Sequence, residues 1–344
     1  MKTPRFSAII PTYNRARFVP LAIESVLKQR FDDFEIIVVD DGSEDNTAQV
    51  LEAFRGRIRY LKQTNRGVGA ARNAGIRAAT GQWVAFLDSD DEWLDTYFAD
   101  LNGLIQRHPR AVGIVLDASA ISADMQEHTY FSEFKLAALF GEKTELFIES
   151  PFSTVVAHNI VTIQSSAFLR ATLSQTRLFD ESLKMAEDLD LIAEMALRGP
   201  YVLSTSLAAR VVRRQGDIEC LSHRLSRTEV RMAFSGVYER FLRNPQLVAN
   251  DSAALRERYA SNQRALGNLH LKQGSVLEAR AAYRSAWLMH RSFASIFRWL
   301  CTFLPQGIAR KLLHKDEGGD PSAKRRQNAL QENKSSSESL TQRT

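Results

Sequence analysis

The stretch Trp83-Val-Ala-Phe-Leu-Asp-Ser-Asp-Asp-Glu92 is an apolar run that ends abruptly in carboxylates. Its apolar residues favour a buried strand, and Asp88 and Asp90 project to the same side wherever the chain stays extended. Two carboxylates at the mouth of a parallel sheet suit Mg²⁺ or Mn²⁺, which also bind phosphate oxygens. The alternative is an acidic loop that caps the following helix, and the flanking sequence decides between the two.

Strand and helix patterns alternate through the first hundred residues. Strands are predicted at 6–10, 35–40, 58–61 and 83–87, and helices at 18–29, 47–54 and 70–79. This alternation predicts an α/β fold with a Rossmann-like, mostly parallel sheet flanked by helices. Ligands bind beyond the carboxyl ends of such strands. Three of the predicted strands end in polar sequence, at Pro11-Thr-Tyr-Asn, Asp40-Asp-Gly-Ser and Asp88-Ser-Asp-Asp.

The remaining chain is less regular and then becomes helical. Strands are predicted at 112–116 and 161–165, with an irregular or helical insertion at 131–149 and a helix at 186–198. The expected organisation is a first domain at 1–222, divided near residue 110, and then an all-helical C-terminal region at 223–315. The polar, serine-rich tail at 316–344 is predicted to be disordered.

The charge of the chain is divided along its length. Residues 1–220 carry 24 Lys and Arg against 30 Asp and Glu, whereas residues 221–315 carry 16 against 5. A basic helical region favours an anionic partner. We expect peripheral contact with an anionic membrane rather than nucleic acid, because no aromatic and basic platform is present. No apolar run is long enough for a spanning helix, and no signal peptide is expected.

Five motifs occur in a fixed order. They are Ile9-Ile-Pro-Thr-Tyr-Asn14, Ile36-Ile-Val-Val-Asp-Asp-Gly-Ser43, Asn65-Arg-Gly-Val-Gly-Ala-Ala-Arg-Asn-Ala-Gly75, Phe86-Leu-Asp-Ser-Asp-Asp91, and Phe179-Asp-Glu followed by Glu187-Asp188. Each is weak alone, but the ordered set is specific. Over about residues 5–222 the chain resembles an inverting family-2 glycosyltransferase of the GT-A fold.

The resemblance implies a nucleotide-binding part at about 1–110 and an acceptor part at about 111–222. Its nucleotide-binding residues would be Pro11, Thr12, Tyr13, Asp41, Arg72 and Asp88. Asp41 would accept the imide hydrogen of uracil, with Thr12 and Tyr13 beside the base. Arg72 would contact the nucleotide or its phosphates, where a guanidinium suits the charge. An ordinary surface arginine is the alternative for Arg72.

The resemblance also implies a metal cofactor, Mn²⁺ or Mg²⁺. Asp90 would be its principal ligand, and Asp88 would contact the ribose or the metal. Arg213 and Arg214 would lie near the diphosphate. Relatives often carry a histidine where this chain has Gln215, which leaves an additional protein ligand for the metal unassigned.

An inverting transfer requires one base that deprotonates the acceptor hydroxyl. By resemblance this catalytic base is Asp188, with Glu187 as the second choice. The alternative for both is a simple role at a helix N-terminus, where acidic residues are favoured by the helix dipole.

The expected function is metal-dependent transfer of one sugar from a nucleotide-sugar, with UDP as the expected nucleotide, to a hydroxyl acceptor. The acceptor would be a glycan or lipid-linked glycan in surface polysaccharide assembly, at the cytoplasmic face of the plasma membrane. Two alternatives remain: a sugar-nucleotide nucleotidyltransferase, and a non-catalytic nucleotide-binding partner that acts through the basic helices. The helix at 293–304 carries an apolar stripe that would face either the core or an anionic lipid surface.

Overall fold

The computed structural model describes residues 3–121, 127–212, 225–245, 247–305, 308–309 and 312–313. Its strands, β1 to β10 in chain order, are Phe6–Thr12, Phe34–Asp40, Arg59–Lys62, Trp83–Phe86, Glu92–Trp93, Gly113–Ile121, Glu127–Thr129, Glu145–Ile148, Ser166–Leu169 and Tyr201–Val212. Its helices, α1 to α13, are Val19–Leu27, Thr47–Leu51, Val68–Ala78, Tyr97–Arg107, Tyr130–Glu133, Ala137–Phe140, Phe152–His158, Arg170–Leu173, Glu187–Ala196, Arg227–Leu242, Ala249–Gln273, Val276–Met289 and Phe293–Cys301.

The ten strands form one mixed sheet in the order β3-β2-β1-β4-β9-β6-β10-β5. Strands β1 to β4 are mutually parallel, as the alternating pattern predicts. Strand β9 lies antiparallel between β4 and β6, and β10 runs parallel to β6. Outside this path, β7 pairs with β6 and β8 pairs with β10.

The predicted strand at 161–165 is wrong. Residues Ile163–Ser165 form a 3₁₀ turn, and the strand is β9, Ser166–Leu169. The hydroxyls of Ser165 and Ser166 both donate to the carbonyl of Thr162, at 3.3 and 2.7 Å. These local hydrogen bonds stabilise a turn in preference to a strand, and they displace the strand toward the C-terminus.

Aromatic packing supports the sheet at β1. Phe6 of β1 is fully buried, and its ring stacks on that of Phe98 in α4 at a centroid distance of 4.7 Å. Trp93 meets Phe98 edge to face at 5.2 Å. Large buried rings contribute much of the apolar area removed from water, so α4 is fixed against β1 behind the carboxyl-end loops.

The described chain divides into two compact units, the first ending at Arg258 and the second beginning at Tyr259. Helix α10 therefore groups with the first unit. The sequence analysis placed residues 223–315 in one helical region, and its boundary at residue 222 stays a prediction. The described part of the second unit is mainly α-helical and includes a turn at Gly274, whose φ is 89°. No helix in the described residues has both the length and the apolar character needed to cross a bilayer.

Candidate functional site

The predicted nucleotide-binding residues lie where neighbouring parallel strands end. Thr12 at the end of β1 is in register with Asp40 at the end of β2, and Ile9 of β1 is in register with Phe86 of β4. The loops that begin with Tyr13, Asp41 and Leu87 therefore leave one edge of the sheet together. Thr12 is buried, whereas the side chain of Tyr13 is 41% exposed and accessible to a ligand.

Asp41 is buried and holds the loop that leads into α3. Its Oδ1 accepts hydrogen bonds from Gln63 Nε2 at 2.7 Å and from the backbone N–H of Arg66 at 3.0 Å. Its Oδ2 accepts from the backbone N–H of Gly67 at 2.7 Å. The carboxylate thus satisfies backbone donors that precede a helix. Its predicted contact with a base is untested and stays a prediction.

Arg72 brings together three of the sequence motifs. It lies in α3 and is only 2% exposed. Its Nη1 donates to Asp188 Oδ1 at 2.7 Å and to Glu187 Oε1 at 3.1 Å, while Nη2 donates to Asp88 Oδ1 at 2.8 Å. A planar guanidinium can serve several carboxylates at fixed angles. The site is therefore organised around one buried cation with three acidic partners.

The guanidinium of Arg72 also lies over an aromatic ring. Its Cζ is 5.2 Å from the centroid of Phe179, which itself meets Phe86 edge to face at 5.3 Å. The side chain of Asn73 donates to the carbonyl of Phe179 and accepts from its N–H, each at 2.9 Å. Two adjacent residues of α3 therefore have related roles. Arg72 holds the carboxylates of Glu187 and Asp188, and Asn73 holds the preceding segment at Phe179. Sequence reasoning did not identify Asn73.

Gln164 is a second residue that sequence reasoning missed. Its Nε2 donates to Asp88 Oδ2 at 3.1 Å, and its carbonyl accepts from Trp93 Nε1 at 2.7 Å. Both carboxylate oxygens of Asp88 are therefore engaged, one by Arg72 and one by Gln164. The strand predicted at 161–165 gives no indication of this contact, because Gln164 reaches Asp88 from the turn Ile163–Ser165.

Asp90 and Asp88 are both partly exposed, and to nearly the same degree. The side chain of Asp90 is 27% exposed, and its Oδ2 lies 3.9 Å from Arg15 Nε. Asp91 is buried, and its N–H donates to the carbonyl of Asp88 at 3.0 Å in the intervening turn. Within the described residues, no group of three or more acidic, histidine or cysteine side chains forms a complete metal cage. Hard oxygen donors at Asp90 and Asp88 nevertheless fit a Mg²⁺ or Mn²⁺ ion that takes its other ligands from phosphate and water.

Glu187 and Asp188 form the first turn of α9, directly after a backbone in the left-handed region. Ala186 has φ 68°, a conformation that is uncommon for a residue other than glycine. This abrupt entry directs the first two side chains of the helix toward Arg72. Burial raises the pKa of Asp188 well above its usual value, and Arg72 opposes that rise.

The opposite side of α9 is fixed by a second set of ion pairs. Asp190 is buried, and Arg240 of α10 donates to its Oδ1. Glu194 meets Arg198 Nη2 at 3.0 Å and Arg240 Nη1 at 3.5 Å. Burial raises the pKa of Asp190 to about 7. These contacts anchor the helix that carries Asp188 and leave its N-terminus directed to the site.

Arg213 and Arg214, predicted near the diphosphate, lie outside the described residues. The described site therefore unites Asp88, Arg72, Glu187 and Asp188 by direct contact, while Asp90 and Tyr13 extend from neighbouring loops.

Solved structures share this fold. S. aureus TarS 1–349 in complex with UDP-GlcNAc has a TM-score of 0.66 at 21% identity, over 87% of this chain and 90% of that chain. The mannosyltransferase PcManGT from Pyrobaculum calidifontis, in complex with GDP-Man and Mn²⁺, has a TM-score of 0.57 at 17% identity, over 92% and 89%. These similarities confirm the predicted fold: a mostly parallel sheet of GT-A type, flanked by helices and followed by C-terminal helices.

Residues 7–166 match the model of glycosyl transferase family 2 and belong to that family. The succinoglycan biosynthesis protein ExoO of Rhizobium meliloti is 36% identical over 223 residues, which make up 63% of this chain and 63% of that protein. The match therefore spans less than two thirds of the length of this relative. The resemblance to family-2 glycosyltransferases of the GT-A fold is confirmed, whereas the inverting mechanism stays a prediction.

Proposed function

We propose that this protein is a metal-dependent inverting glycosyltransferase that moves one sugar from a nucleotide-sugar to a hydroxyl acceptor. The observation that carries the proposal is the contact of Arg72 with both Asp88 and Asp188. Asp88 comes from the motif expected to bind the nucleotide-sugar, and Asp188 is the candidate base. Arg72 joins the two in one hydrogen-bonded group. A site that performs inversion needs these two functions on either side of one sugar carbon.

In this proposal Asp188 removes the proton from the acceptor hydroxyl as that oxygen attacks the anomeric carbon. The bond from this carbon to the diphosphate oxygen breaks as the new bond forms, so the configuration inverts and a nucleoside diphosphate leaves. The raised pKa of Asp188 suits this role, because a more basic carboxylate accepts a proton more readily. Arg72 holds the carboxylate in place through the reaction.

The donor side of the proposed site consists of the strand-end loops. Tyr13 is exposed beside buried Thr12, and would stack against the base of the nucleotide. Asp90 and Asp88 would hold Mn²⁺ or Mg²⁺. A divalent ion there would neutralise negative charge on the departing diphosphate. UDP is the proposed nucleotide, and TarS, which has this fold, was solved with UDP-GlcNAc.

The acceptor proposed is a glycan or lipid-linked glycan of surface polysaccharide assembly. Support comes from ExoO, whose name assigns it to succinoglycan biosynthesis. The proposed location is cytoplasmic and peripheral, on the inner face of the plasma membrane, where a lipid-linked acceptor would be within reach.

The test is calorimetric titration of UDP, GDP and dTDP into the purified protein, with Mn²⁺ and again with EDTA. We expect UDP-selective binding that requires the metal and weakens in Asp90→Ala. Asp188→Asn should keep that binding and lose transfer from a UDP-sugar, because it removes the base without removing a donor contact. Absence of nucleotide binding under every condition would overturn the proposal.

A further inference from the structure

In its described part, the second unit exposes several large apolar side chains that lie close together in sequence between residues 293 and 312. These residues, here called the apolar face, lie in α13 and in the segment that follows it. Their exposed fractions are Phe293 81%, Leu300 55%, Phe303 58%, Leu304 43%, Ile308 50% and Leu312 45%. Scattered apolar residues are normal on a protein surface, but a contiguous group marks an interaction site.

The reverse side of the same segment is packed into the second unit. Cys301, Ala309 and Leu313 are buried in a cluster with Tyr283 and Leu271. The apolar stripe at 293–304 therefore does not face the core as a whole. Phe297 is partly buried against this cluster, whereas Phe293, Leu300 and Leu304 are exposed. Packing of one side fixes which residues the segment presents outward, so the apolar face is a consequence of folding.

The sequence that contains the apolar face is rich in positive charge. Residues 259–315 contain nine Lys and Arg and one acidic residue, Glu278. Arg280 lies over the ring of Phe303, with its Cζ 3.9 Å from the centroid. Arg291 lies 5.7 Å from the ring centroid of Trp287. Arginines paired with aromatic rings at the border of an apolar surface are suited to a boundary between lipid tails and charged headgroups.

We propose that the apolar face docks on an anionic lipid surface. Apolar side chains would enter the boundary between headgroups and acyl chains, and the basic residues would meet lipid phosphates. A second copy of this face is the less suitable occupant, because two surfaces with the same large positive charge repel each other. The inference rests on the proposed function for its biological setting, since a lipid-linked acceptor would lie at such a surface.

The experiment is co-sedimentation of the full chain with phosphatidylcholine vesicles, with and without phosphatidylglycerol. We expect binding that requires phosphatidylglycerol and decreases as potassium chloride is added. The combined variant Phe293→Ser, Leu300→Ser, Phe303→Ser should weaken the partition coefficient by about tenfold or more. The matched control is Leu277→Ser with Leu288→Ser, two exposed leucines of α12 outside the apolar face, which should bind as the wild type does.

Three results would overturn the inference. One is wild-type binding that is insensitive to phosphatidylglycerol and salt, and another is equal binding by the triple variant. The third is a wild-type dimer in sedimentation velocity that the triple variant abolishes, which would assign the face to self-association. The wild-type measurements do not depend on how the variants fold. Calorimetric UDP binding by the same preparations separates this outcome from failure of the proposed function.

Discussion

Arg72 Nη1 and Asp188 Oδ1 lie 2.7 Å apart, although 116 positions separate the two residues in the chain. The same guanidinium donates to Asp88 through its other terminal nitrogen. The buried cation therefore partly offsets the mutual repulsion of carboxylates from two distant motifs. Arg72, which the sequence analysis assigned to the nucleotide, donates hydrogen bonds to three protein carboxylates.

Arg72→Lys is expected to reduce kcat on the order of 10²-fold, because an ammonium cannot keep the same three hydrogen bonds and the base would be misplaced. Steady-state kinetics with a UDP-sugar would measure it. The control is Arg66→Lys, whose guanidinium meets Glu181 at an exposed position. An Arg72→Lys enzyme with unchanged kcat would show that the guanidinium geometry is unimportant.

On the acid side of its pH profile, kcat/KM should fall at a pH above 3.8, the usual pKa of an aspartate side chain. Burial raises the pKa of Asp188, and its deprotonated form is the base. Activity is therefore lost as the pH falls through the raised pKa. Glu187→Gln should move this fall in kcat/KM to lower pH, because the charge of Glu187 contributes to the rise. Complete loss of activity in Glu187→Gln would instead assign the base to Glu187.

Gln164→Glu is expected to weaken metal-dependent UDP binding and to lower activity. The substitution replaces an N–H donor to Asp88 Oδ2 with a second negative charge, and like charges at this distance repel. Calorimetry with Mn²⁺ would measure the affinity. Gln175→Glu, an exposed position elsewhere in the first unit, is the matched control. Equal affinity of the two variants would exclude a role for Gln164 at the donor site.

Gly42→Ala should lower the free energy of unfolding more than Gly56→Ala. Both glycines have positive φ, 81° and 80°, so the backbone strain is matched at about 1–3 kcal/mol. A Cβ at Gly42 would lie 2.8 Å from the backbone nitrogen of Asn65, whereas a Cβ at Gly56 meets nothing within 4 Å. Urea denaturation measures the difference. Equal losses of unfolding free energy in the two variants would mean that the loop beside Asp41 moves away from the added methyl group at no energetic cost.

The strands that carry the site were predictable because their apolar runs are short, continuous and followed by polar turns. The predicted strand at 83–87 differs from β4, Trp83–Phe86, by one residue. Beyond residue 110 the prediction was weaker, since β9 enters the sheet antiparallel and its neighbours β4 and β6 are distant from it in sequence. Local patterns contain no information about such pairings.

The sequence indicated several residues that the structure places together, but not their contacts, and the functional roles of these residues stay predictions. Motif order indicated Asp88, Arg72 and Asp188, yet their shared hydrogen bonds depend on how α3 and α9 approach each other. Gln164 could not be found, because its role follows from a turn made by neighbouring hydroxyls and from the position of Trp93.

The three carboxylates around Arg72 also constrain how this sequence can diverge. Replacement of Arg72 alone would leave three acidic groups without their common counter-charge. A protein with only this substitution would therefore be impaired, and evolution through it is difficult. Among relatives, we expect loss of this arginine to coincide with loss of Asp88, Glu187 or Asp188. An alignment that pairs another residue at this position with all three acids, in active enzymes, would contradict this expectation. If the expectation holds, Arg72 and its three acidic partners are inherited together.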